Sequence, residues 1–318
     1  MPVAVIGSSD LDVLPIALGT NTFGWTADRD ESFEILDAFV AGGGSLVDTA
    51  DSYSAWAPGN SGGESETIIG EWIASRGGRE QLVVATKVSS HPEYKGLSAA
   101  NIAAAAPESL RRLQTDRIDL YFAHYDDPDT PLEETVTAFA ELVDRGVVRY
   151  VGLSNYTADR IAAWIETAQR LGVGAPVALQ PHYNLLHREP FESELRPLAL
   201  QHELGVLPYF GLAAGFLTGK YRSPEDAEGV TRGSMVAAYL TDAGFAVADE
   251  VRAIAQQRGV PPASVALAWL RTRPSVVAPI AGATKVEHVP PLLAAATLEL
   301  DATESERLER VSDAFTPA

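Results

Sequence analysis

The strongest constraint on the fold is an alternation. Eight short apolar runs recur along the chain: PIALGT, SLVDTA, LVVATK, IDLYFA, YVGLSN, PVALQ, GVLPYF and SVVAPI. Each is rich in Val, Ile, Leu or aromatic residues and leaves into small or polar ones, the pattern of strands buried on both faces of a parallel sheet. Amphipathic helical stretches lie between them: SFEILDAF, ESETIIGEWIASR, SAANIAAAAPESLRRL, LEETVTAFAELVDRG, ADRIAAWIETAQRLG and FESELRPLALQHELG. Several close on Gly after a charged last turn, a normal helix stop. Pro107 falls inside the third and predicts a kink or a restart there.

Eight such alternations within 318 residues predict an α/β fold, a single (β/α)8 TIM barrel spanning residues 1–318. A doubly wound sheet uses the same alternation and is the structural rival. No Pro/Gly/Ser-rich linker divides the chain. The opening AVIGSSDLDVLP reads as an N-terminal β-hairpin, and ATESERLERVSDA as an extra C-terminal helix. Residues 212–235 have weak periodicity and read as a long loop over one end, a position where function concentrates.

Composition narrows the partners. A net charge of −19 argues against a nucleic-acid surface, which needs a basic patch. There is no cysteine, so disulfides and thiolate metal sites are excluded and a reducing compartment is compatible. The start, MPVAVIGSSD, lacks the basic region of a secretory signal, and the uncharged run 204–219 is too short and too interrupted by Pro208 and glycines to span a membrane. The expectation is a cytoplasmic protein with no membrane partner.

Several chemical motifs fail. GVGAPV at Gly172 begins a dinucleotide fingerprint and does not complete it. GFLTGKY spaces its glycines one residue too closely for a P-loop and has Tyr221 where a magnesium-binding hydroxyl belongs. GLSNY has Tyr156 in place of the second glycine of a nucleophile elbow. No HExxH occurs, and no metal site is expected.

The strand ends are more informative, because in a barrel they open on one face. The second run delivers Asp48 and then Tyr53, the third Lys87, the fourth His124, the fifth Ser154 and Asn155, the sixth Gln180, and the seventh Tyr209. Each alone has a bland reading as a cap, a packed aromatic or a solvated charge. Four chemically competent groups on consecutive strand ends are harder to assign to chance. Asp51, in the same LVDTADSY stretch, reads as a loop residue without a role.

LVDTADSY, VVATKV, DLYFAH, VGLSNY, LQPHYNLL, FLTGKY and PIAGAT together resemble the aldo-keto reductase superfamily, in order and over nearly the whole chain. The resemblance implies a nicotinamide cofactor bound without a Rossmann domain, and a catalytic set of Asp48, Tyr53, Lys87 and His124. Tyr53 would be the general acid, Lys87 would lower its pKa, Asp48 would hold the ammonium, and His124 would orient the carbonyl oxygen. Relatives that reduce activated C=C bonds in steroids commonly carry Glu at the His124 position, so His favours an aldehyde or ketone substrate.

By the same resemblance Ser154, Asn155 and Gln180 would hold the nicotinamide carboxamide, Tyr209 would stack on its ring, and Thr20 and Asn21 would lie beside it. Phe210 and Gly211 replace the usual Ser-Pro, leaving Gly211, Leu212 and Lys220 to meet the diphosphate. Gly282, Thr284, Lys285 and His288 would hold the adenosine end, where Leu292 stands in place of an adenine-binding Asn. Thr284 and Lys285 favour NADPH, with NADH left open. Trp25, Trp56 and Tyr125, with the 212–235 segment, would wall the substrate. Three alternatives stay open: a sugar or alcohol dehydrogenase running in reverse, a slow cofactor-binding regulator like the channel-associated β subunits, and a metal-dependent hydrolase using His124, Asp126, Asp127 and His182. Oligomeric state is not legible.

Overall fold

The computed structural model describes residues 2–230 and 232–315. The chain opens with an antiparallel hairpin, β1 (Ala4–Val5) and β2 (Asp12–Val13), as the sequence suggested. The alternation then follows: β3 (Ala17–Gly19), α1 (Arg29–Ala41), β4 (Leu46–Asp48), α2 (Glu64–Arg76) and β5 (Val83–Val88). A small antiparallel pair, β6 (Ser90–His91) and β7 (Tyr94–Lys95), precedes α3 (Ala99–Leu113). Next come β8 (Ile118–Ala123), α4 (Leu132–Asp144), β9 (Val148–Ser154), α5 (Ala158–Leu171), β10 (Ala178–Gln180), α6 (Arg196–Gln201) and β11 (Gly205–Val206). The last part holds α7 (Gly233–Val236), α8 (Asp242–Arg258), α9 (Pro262–Arg271), β12 (Ile280–Gly282), α10 (Val289–Ala295) and α11 (Ala302–Asp313).

Eight parallel strands form one curled sheet in the order β11-β10-β9-β8-β5-β4-β3-β12. The first and last barrel strands pair directly, Leu18 opposite Ala281. The seam is completed by a parallel bridge between Val206 and Val276 and by Ile280 N–H donating to Pro208 O at 2.8 Å. The result is the (β/α)8 barrel the alternation predicts. All six residues of β8 are buried, the signature of a strand covered on both faces.

Two apolar cores account for that coverage. One fills the layer between strands and helices, with Trp72, Phe139, Trp164 and Trp269. The other fills the barrel interior, where Leu46, Ala85, Leu120 and Phe122 meet Ile6, Leu11 and Val13 of the hairpin. The hairpin therefore plugs the N-terminal end of the barrel. Gly7, at φ +54°, makes this possible: a Cβ there would lie 2.1 Å from Val177 O. Only the C-terminal end is left to open into a site.

Four expectations need correction. The eighth strand is Ile280–Gly282, beginning only at the last residue of the SVVAPI run, whose Val276 forms an isolated bridge to β11. Pro107 neither ends nor restarts α3. The sixth helix begins as a π-helical turn, Phe191–Leu195, before α6. The 212–235 segment is built from short turns, 3-10 at Ala213–Thr218 and Pro224–Ala227, rather than open loop. No helix among the described residues is long and apolar enough to cross a membrane.

Candidate active site

Three strand ends build the centre of the site. Register places Gly19 beside Asp48 and Asp48 beside Ala85, so the end of β4 lies one strand from Lys87. Lys87 is fully buried, which would be prohibitive for an unpaired ammonium. Its Nζ has three protons and three acceptors: Asp48 Oδ2 at 2.8 Å, Thr49 O at 2.6 Å and the Tyr53 hydroxyl at 2.9 Å. Asp48 is itself held from a third strand, because Gln180 Nε2 donates to its Oδ1 at 2.8 Å. Behind Asp48, Thr20 donates to its carbonyl at 2.8 Å, and the Ser65 hydroxyl donates to Thr20.

Protonation follows from burial. Desolvation pulls Lys87 below its usual value, opposed by the Asp48 carboxylate. For Tyr53 the sequence suggested a phenol lowered by Lys87. Burial and the nearby Asp48 carboxylate act in the opposite direction and hold the phenol above the ordinary 10.0, so it is protonated at neutral pH. His124 follows β8 and is pushed well below 6.5 by burial and by the Lys87 charge, so its imidazole is neutral. Its ring lies 6.2 Å from that of Tyr53.

Asp48, Tyr53 and His124 line one end of a cavity of about 890 Å³, with Lys87 buried behind them. It passes Asn21, Tyr209, Gly211 and Leu212 and reaches Lys220, Gly282, Thr284, His288 and Leu292. Ser154, Asn155 and Gln180 line it too, but they are tied together: Ser154 donates to Gln180 O, Asn155 Nδ2 to His124 O, and the Tyr209 hydroxyl to Asn155 Oδ1. The Gln180 amide nitrogen is engaged by Asp48, leaving its side-chain oxygen without a protein partner among the described residues.

The far end is basic within a chain of charge −19. His288 is lowered by burial, and the Lys220 and Lys285 charges add to this against Glu287. Arg232, which sequence reasoning did not single out, lines the cavity with a buried Nε that has no partner among the described residues. An elongated cavity with aromatic and amide groups at one end and cations with an orphaned guanidinium N–H at the other fits a nicotinamide dinucleotide. Lys285, by contrast, is exposed and outside the cavity wall.

Trp56 and Tyr125 line the mouth and are about half exposed, at 51% and 49%. Tyr125 stacks on His124 at 4.7 Å. Trp25 is not in the wall; it braces Trp56 edge-on at 5.6 Å. Ser52 and Ser90 also line the cavity and were missed; for Ser90 the Ser-Ser doublet directly after VATKV was the available signal.

Asp51 lies in the turn after β4, as the sequence suggested, but it is not a solvated loop residue. It is fully buried, neither carboxylate oxygen has a hydrogen-bond partner among the described residues, and burial together with the Glu66 carboxylate raises its pKa well above 3.8. The residues of the metal-hydrolase alternative do not converge: Asp126 pairs with Arg160 at 2.7 Å, Asp127 accepts from Leu97 N–H at 2.7 Å, and no metal-binding group of three His, Cys, Asp or Glu exists among the described residues.

Comparison with known proteins adds the following. The family model described as "Aldo/keto reductase family" matches residues 15–313. "Protein tas" of Escherichia coli (strain K12) is 32% identical, over 98% of this chain and 97% of its own. "Uncharacterized oxidoreductase YrpG" of Bacillus subtilis (strain 168) is 34% identical, over 99% and 96%. "Probable voltage-gated potassium channel subunit beta" of Arabidopsis thaliana is 32% identical, over 89% and 88%.

Proposed function

Because the chain belongs to the aldo/keto reductase family, we propose that it is an NADPH-dependent oxidoreductase that reduces an aldehyde or ketone to the alcohol. The observation that carries this reading is the buried Lys87 ammonium joining the Asp48 carboxylate to the Tyr53 hydroxyl at the cavity wall. A bound nicotinamide supplies the hydride for the carbonyl carbon.

The chain supplies the rest. Tyr53 gives its phenolic proton to the carbonyl oxygen, and Lys87 stabilises the tyrosinate left behind. Asp48 keeps Lys87 charged and in place, since a lone buried ammonium would lose its proton instead. His124, neutral, orients the carbonyl by a hydrogen bond to its oxygen. In oxidation the same residues run backwards, with the tyrosinate as base. Lys220, Arg232 and Thr284 suit the phosphates, and the basic end favours NADPH over NADH. Trp56 and Tyr125 give the substrate an aromatic entrance. We place the protein in the cytoplasm, with a small carbonyl or alcohol substrate as its partner; its acidity supports the absence of a nucleic-acid partner.

The test is transfer of deuterium. Cofactor deuterated at the reactive ring carbon is incubated with a panel of aldehydes and ketones, and the alcohols are analysed by mass spectrometry. Deuterated alcohol is expected from wild type, with the rate reduced roughly 10²–10⁴-fold in Tyr53→Phe while cofactor still binds. The relatives named as channel β subunits favour a second reading, a regulatory protein with slow turnover. Cofactor binding with no transfer to any carbonyl would select it.

A further inference from the structure

His124 is held from behind by two serine hydroxyls. Its Nδ1 lies 3.0 Å from Ser90 Oγ, and Ser90 Oγ lies 2.9 Å from Ser52 Oγ. All three residues line the cavity. His124 Nε2 has no protein hydrogen-bond partner among the described residues. A neutral imidazole has one N–H and one lone pair, and a serine hydroxyl can take either role. The chain therefore runs in one of two directions. Either Nδ1–H donates to Ser90, or Ser52 donates to Ser90 and Ser90 donates to Nδ1.

The two directions have different consequences in the cavity. The first presents a lone pair at Nε2, which a carbonyl oxygen cannot approach favourably. The second presents Nε2–H, a donor. A carbonyl oxygen only accepts, so a productive site needs the second.

The backbone supports a purpose-built contact. Between β5 and β6 the chain breaks at Ser89, whose φ of +128° is unusual for a residue with a side chain. Both serines at the break hold the segment that carries His124. Ser89 Oγ accepts from Tyr125 N–H at 3.1 Å, and Ser90 Oγ meets His124. Gly96 N–H donates to Ser89 O at 2.9 Å and fixes the turn.

We propose that Ser90, backed by Ser52, is a positioning residue: its hydroxyl donates to His124 Nδ1 and so fixes the tautomer that offers Nε2–H to the substrate oxygen. This rests on the carbonyl-reductase reading of the cavity. It acts through His124 and does not touch the reacting atoms.

The test compares wild type, Ser90→Ala and Ser90→Thr by NMR of ¹⁵N-histidine-labelled protein with cofactor added, using His124→Phe to assign the signal. In wild type the proton should sit on Nε2. In Ser90→Ala the Nδ1–H form should appear, kcat should fall about tenfold, and KM and cofactor affinity should change little. Ser90→Thr should restore both tautomer and kcat, since a strand accepts its β-branch. A wild-type proton on Nδ1, or Ser90→Ala with unchanged tautomer and kcat, overturns the proposal. The tautomer is read without turnover. If wild type binds cofactor but reduces nothing, the reductase reading fails while the nitrogen signals still decide the role of Ser90.

Discussion

Asp48 carries more of the site than any other side chain. It accepts from Lys87 at one oxygen and from Gln180 at the other, from strands far apart in sequence. Asp48→Asn would keep the shape and remove the countercharge, leaving a buried ammonium uncompensated. Loss of about 3–5 kcal/mol is expected, read as a shift of the urea midpoint with unchanged slope. A second expectation concerns Tyr53. Reduction requires the protonated phenol, and burial with the Asp48 carboxylate raises its pKa above 10.0. Activity should therefore persist through the neutral range and be lost only as pH rises through that elevated value. A steady-state profile of reduction with an alkaline limb below pH 10 would contradict the assignment. Asp48, Tyr53, Lys87 and His124 were legible because strand ends announce themselves as polar residues after apolar runs. The Gln180–Asp48 bond, the Ser90–His124 contact and the burial of Asp51 were not. Each depends on where a side chain points within a closed barrel, and linear spacing does not carry that.

At the scale of elements, periodicity located helices well and special backbone poorly. ESETIIGEWIASR matches α2 to the residue because glycines bracket it: Gly63 at its N-cap and Gly77, left-handed, at its C-cap. The π-helical turn at Phe191–Leu195 has the same apolar spacing as an α-helix start, so nothing in the pattern separates the two. The eighth strand shifted because SVVAPI contains a proline and has no polar residue after Ser275, which leaves its register to the closing of the barrel. Helix packing supplies a sharper test. Gly70 faces α3, and a Cβ there would lie 2.1 Å from Arg112 O, a backbone atom with little freedom to move. Gly70→Ala should separate α2 from α3 and cost about 1–3 kcal/mol, measured by thermal unfolding. An unchanged midpoint would show that the helices have slack at this crossing.

For the whole molecule, the alternation predicted the barrel, and the hairpin settles which end is available. Ile6, Leu11 and Val13 fill the N-terminal mouth, so the cavity forms at the other, where the strand ends deliver their polar groups. Basic residues at its far end work against a net charge of −19, a local arrangement that composition hides. The central claim is that this cavity takes a nicotinamide dinucleotide, and the most direct measurement is fluorescence titration of the wild-type protein with NADPH and with NADH. Saturable NADPH binding, tighter than NADH, is predicted, with the preference narrowed in Lys220→Ala. Failure of both cofactors to bind would contradict the account at its root.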